Sequence, residues 1–86
     1  MYINLVRSWS LLKAYVLINT EIGTIQEVLE SIKKIKEIKE AYALFGVYDI
    51  MTKVEAESTQ ELKEIVTLKI RQVDKVRSTL TMIIME

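Results

Sequence analysis

Two short patterns, Thr24-Ile25-Gln26-Glu27 and Ser58-Thr59-Gln60-Glu61, recur 34 residues apart, and each lies between β-branched runs. A hydroxyl residue followed three positions later by Glu is a capping box: the hydroxyl satisfies a free N–H of the first helical turn and Glu reaches back to the cap. Each box therefore predicts a helix start. Behind the first, Ile25, Val28, Leu29, Ile32 and Ile35 recur at helical spacing to an end near Lys36. Behind the second, Leu62, Ile65, Val66 and Ile70 do the same. Gln26/Gln60, Glu27/Glu61 and Glu30/Glu64 match at the same offset, so the two halves repeat one grammar.

The flanking runs are short and rich in β-branched and aromatic residues: 13–20 (KAYVLINT), 40–45 (EAYALF), 49–56 (DIMTKVEA) and 77–85 (RSTLTMIIM). Strand, helix, strand, repeated, makes a ferredoxin-like βαββαβ α+β sandwich. Four antiparallel strands carry both helices on one face, and right-handed crossovers place the first and third strands at the centre. One domain accounts for 86 residues.

That architecture leaves the other sheet face bare. Tyr15, Leu17, Tyr42, Leu44, Met51, Ile83 and Met85 are expected there, a patch too large for a monomer to expose. The expectation is face-to-face dimerisation of sheets. Residues 1–12 (MYINLVRSWSLL) read as an N-terminal arm in which Trp9 and the leucines pack on the domain edge or on another subunit.

Composition narrows the chemistry. The chain has no Cys and no His, so it lacks the usual thiol nucleophile, the commonest general base and the preferred zinc ligands. No enzymatic activity, metal or cofactor is expected. Twelve basic residues balance twelve acidic ones, without the positive field that drives phosphate-backbone binding, so direct nucleic-acid contact is not expected. Charges punctuate every apolar run, no membrane span is expected, and cytoplasmic residence is the default. Most carboxylates sit beside Lys at helical spacing, as Glu30 does with Lys33 and Lys34, and read as surface charge.

Placed polar chemistry concentrates in the turn Gly46-Val47-Tyr48-Asp49 between the halves. Gly46 either supplies a positive φ or admits a ligand to bare backbone. Asp49 either caps the turn or fixes an ammonium group. Ser78, Thr79 and Thr81 add hydroxyls on the last strand, Thr79 and Thr81 sharing one face. Cross-strand contacts are their ordinary explanation and a pocket lining the sharper one. Bringing them to the Gly46–Asp49 turn is expected to need another subunit.

The segments KAYVLINTEIGTIQEVLESIKKI, EAYALFGVYDIMTKVEA and VRSTLTMIIM, in this order, resemble the ligand-binding domain of the Lrp/AsnC, or feast/famine, transcription regulators over residues 13–86. The resemblance implies an effector-binding domain that dimerises through the open sheet face, usually assembles into an octamer of four dimers, and binds amino acids in clefts between dimers. It also implies that Gly46, Val47, Tyr48 and Asp49 line that cleft, with polar contacts from Ser78, Thr79 and Thr81. Full-length members carry a helix-turn-helix domain that residues 1–12 cannot hold. The expectation is a stand-alone sensor domain that assembles with itself or with full-length regulators and does not bind DNA directly. A purely structural assembly module is the alternative. A small dimeric α+β barrel enzyme shares the fold, but fold alone does not license that assignment.

Overall fold

The computed structural model describes residues 11–85. The elements run β1 (Leu12–Thr20), α1 (Ile25–Lys33), β2 (Ile38–Ala43), β3 (Ile50–Ala56), α2 (Thr59–Glu64, continuing as a π-helical segment Ile65–Ile70) and β4 (Val76–Ile83). This is the expected ferredoxin-like order. The antiparallel sheet has the order β2-β3-β1-β4, with β1 and β3 central. β1 begins at Leu12, inside the stretch read as an arm. Tyr2, Leu5 and Trp9 lie outside the described residues.

The two capping boxes behave differently. Ser58 Oγ accepts from Glu61 N at 3.0 Å, and Glu61 Oε1 accepts from the backbone of Glu57. Thr24 caps no helical N–H. Its hydroxyl donates to Glu21 O at 2.7 Å, and Glu27 pairs with Lys75 at 2.8 Å. The tight Glu21-Ile22-Gly23 turn, with Gly23 at φ +82°, puts a carbonyl in reach of the hydroxyl that the box would otherwise use. α1 ends at Lys33, ahead of the expected Lys36, because Ile35 N bonds Ile32 O at 3.0 Å as the chain turns towards β2. β2 correspondingly lies earlier than residues 40–45, and Leu44 falls outside it.

The π-helical segment has a clear cause. A strict period of about 3.6 residues carried on from Leu62 would turn Lys69 towards the sheet and leave Ile70 at the rim. The wider turn, closed by Arg71 N to Val66 O at 2.9 Å, buries Ile70 completely instead. It also frees Lys69 to meet Glu37 at 2.8 Å. That bond holds the Glu37 carboxyl below the ordinary glutamate range.

Ala14, Val16 and Ile18 of β1 and Ile50, Val54 and Ala56 of β3 meet Val28, Ile32, Ile65 and Ile70 from the helices, all essentially buried. Thr52, also buried, donates to Val16 O at 2.9 Å and so carries no unsatisfied hydroxyl.

Among the described residues, nothing covers the opposite sheet face. Tyr15, Leu17, Tyr42 and Met51 lie on it, as expected. The last strand was read one residue out of register. Leu80 pairs across from Leu17 and Met82 from Tyr15, so these two occupy the open face. Ile83 pairs with Ala14 on the helix side, and Met85 lies beyond the strand. Both faces of 77–85 are apolar enough that the sequence pattern alone did not fix the pleat.

Candidate functional site

Asp49 fastens three strands at one end of the sheet. Its N–H donates to Ile18 O at 3.0 Å and its carbonyl accepts from Leu44 N at 2.8 Å. Its carboxylate Oδ2 accepts from Thr20 N at 2.8 Å and from Thr20 Oγ1 at 3.2 Å. The group it caps is thus the end of β1, 29 residues away, and not its own turn.

β4 carries an irregularity at the same end. Asn19 pairs with Ser78 and Thr20 with Val76, which leaves Arg77 without a partner in the ladder. An extra residue of this kind bends the strand and re-aims a side chain. Arg77 joins Asn19, Thr20, Ile22, Asp49 and Ser78 around an open recess of about 390 Å³. The residues around the recess thus include one with a guanidinium, one with a carboxylate and one with a hydroxyl.

Asp49 and Ser78 line one recess within a single chain, on either side of the end of β1, which corrects the expectation that a second subunit is needed to bring them to one site. Thr79 and Thr81 share a face, as expected, but it is the helix side, opposite Ile18 and Val16. Thr81 lines a separate recess of about 270 Å³ with Leu62, Val66 and Ile83. Gly46 and Val47 do not line the Asp49 recess. Val47 is exposed and Tyr48 half-buried. Gly46 does not adopt positive φ, and a Cβ built there meets nothing within 4 Å. Of its two sequence readings, the conformational one falls away. Asn19, Thr20, Ile22 and Arg77 were not singled out from sequence. Arg77 had a signal, standing immediately before the Ser78-Thr79 hydroxyls.

Asp49→Ala strips Thr20 N–H of its acceptor in a nearly buried position and is expected to lower stability by about 1–3 kcal/mol. Asp49→Asn keeps an acceptor oxygen and loses less. Urea midpoints of the two variants check this order.

No group of His, Cys, Asp and Glu among the described residues could hold a metal ion. No helix among them is long and apolar enough to cross a membrane.

The family model described as the Lrp/AsnC ligand binding domain matches residues 13–86. Among solved structures, FFRP-DM1 is 37% identical, over 85% of this chain and 97% of that one, with a TM-score of 0.80. E. coli AsnC shares the fold at a TM-score of 0.86 and 24% identity, over 96% of this chain and 55% of its own. The transcriptional regulator NMB0573 of Neisseria meningitidis, solved with L-Met, superposes with a TM-score of 0.78 at 16% identity, over 87% of this chain and 50% of that one. No curated protein sequence matches.

Proposed function

The chain belongs to the Lrp/AsnC ligand-binding-domain family, which is regulatory, and from that premise we propose that it is an amino-acid-sensing and oligomerisation domain. The observation that carries this reading is the recess at the sheet end, where Arg77 and Asp49 set opposite charges around one space of about 390 Å³. A free amino acid is a zwitterion of matching size and charge. Arg77 supplies a fork for its carboxylate, and Asp49 with the Ser78 hydroxyl faces its ammonium group. The Neisseria regulator's complex with L-Met supports the ligand class.

The recess is open on one side, and the turn beside it exposes Phe45 and Val47 fully while leaving Gly46 bare. A second subunit approaching there closes the site, so occupancy changes the free energy of assembly. The units that assemble are dimers formed through the open sheet face, and the octamer of four dimers is the closed form of that assembly. The domain acts in the cytoplasm on transcription through contact with itself or with full-length regulators, without contacting DNA. Gly46, Val47 and Tyr48 contribute from the subunit boundary.

A ligand bound only by the folded state stabilises it by mass action, by about 2.7 kcal/mol at 100 times Kd, and so raises the melting temperature by roughly 10 °C or more for a domain of this size. Screening the ligand-free protein against the proteinogenic amino acids is expected to give a dose-dependent shift for one or a few of them. Arg77→Ala is expected to abolish the shift while leaving the far-ultraviolet dichroism unchanged. A flat panel from verified ligand-free protein overturns amino-acid sensing and leaves a structural assembly module, which the fully exposed Phe45 and Val47 would serve equally well.

A further inference from the structure

The open face of the sheet is not uniformly apolar. Its rows can be read across the strands from the register. One row runs Tyr42, Met51, Leu17, Leu80, all apolar. The next runs Glu40, Lys53, Tyr15, Met82, and the one beyond it sets Glu55 against Lys13. One end of this face therefore carries two lysines and two glutamates, with each Lys directly across from a Glu. The Tyr42 hydroxyl donates to Glu40 Oε1 at 3.1 Å, which fixes that carboxylate over the face and pushes the phenol pKa up. Lys53 and Glu55 are half-buried on this face.

From this we infer that the charged strip of Lys13, Lys53, Glu40 and Glu55 selects the partner of the open face, admitting a second copy of this chain and rejecting homologous sheets of unmatched charge. The inference rests on the face-to-face dimer proposed above. Stacking two copies carries eight charged groups out of water, and an ionised group left unpaired there is strongly unfavourable. A second copy brings equal numbers of both signs, so the two strips together stay neutral and cross-strand neighbours are of opposite sign. A sheet with the same apolar row but an acidic or a basic strip would leave like charges face to face. The apolar row then supplies affinity and the strip supplies discrimination.

Two variants convert the strip to a single sign. Lys13→Glu with Lys53→Glu makes it acidic, and Glu40→Lys with Glu55→Lys makes it basic. Each alone is expected to self-associate about 100-fold more weakly than wild type, as measured by sedimentation or light scattering. An equimolar mixture of the two is expected to recover the wild-type mass, and raising the salt concentration is expected to lessen the defect of each single variant. Where the double reversals do not fold by circular dichroism, Lys53→Glu and Glu40→Lys singly give the same readout. Folded variants that each retain the wild-type mass, or a mixture that stays dissociated, overturn the inference. A wild-type chain that is itself monomeric overturns the face-to-face dimer instead, so the two failures are distinguishable.

Discussion

If the chain pairs through the open sheet face as proposed, Leu17→Asp is expected to give a folded chain that no longer dimerises. Leu17 stands in the middle of the apolar row on the open face, with Met51 on one side and Leu80 on the other. It is half-buried in the isolated chain, so a carboxylate there reaches water and the helix-side core is untouched. Facing a second sheet, the same carboxylate loses its hydration amid apolar side chains with no partner, at an effective penalty of several kcal/mol. The dimer dissociation constant is expected to rise by roughly 100-fold to 1,000-fold. Sedimentation equilibrium reads the mass directly, and far-ultraviolet dichroism shows that the sheet persists. A variant that keeps the wild-type mass would move the interface to another surface.

Ile18→Ala, one residue along the same strand, has the opposite signature. Its side chain points to the helices, is wholly buried, and sits between Ile50 on β3 and Thr79 on β4. Deleting most of a buried Ile leaves a cavity that the two central strands cannot close, costing about 2–5 kcal/mol. A domain of this length has a total stability of about 5–15 kcal/mol, so the variant is expected to lose a large share of it. The loss shows as a lower urea midpoint at unchanged slope. The strand's carbonyls remain able to accept from Asp49 N–H and Thr52, so residual fold and sheet order are expected to survive at low urea. Adjacent residues of β1 thus separate folding from assembly by the strand's two-residue alternation alone.

Much of this was legible before any coordinates. Tyr15 and Leu17 of residues 13–20 and Met51 of residues 49–56 are expected on the open face and stand there. At the second box Ser58 caps the helix by accepting from Glu61 N–H, and Glu61 reaches one residue past the cap to Glu57 N–H. Thr24 of the first box does not cap, because the Gly23 turn offered it a nearer acceptor in Glu21. The last strand slipped by one residue in the reading, since Leu80, Met82 and Ile83 are equally apolar and only their cross-strand partners distinguish the two faces.

Element order, the two-helix repeat, the bare sheet face and the family likeness follow from local pattern: apolar period, capping residues and turn residues act over a few positions and survive in one dimension. The recess does not. It exists because Asp49 reaches 29 residues back to Thr20 and because β4 bulges at Arg77, and neither event has a local cause. A bulge is set by how two ladders fit against one strand, so the residue it turns out is chosen by the assembled sheet. The charged strip is a third case. Lys13, Glu40, Lys53 and Glu55 are scattered surface charges along the chain, and strand register alone makes them neighbours.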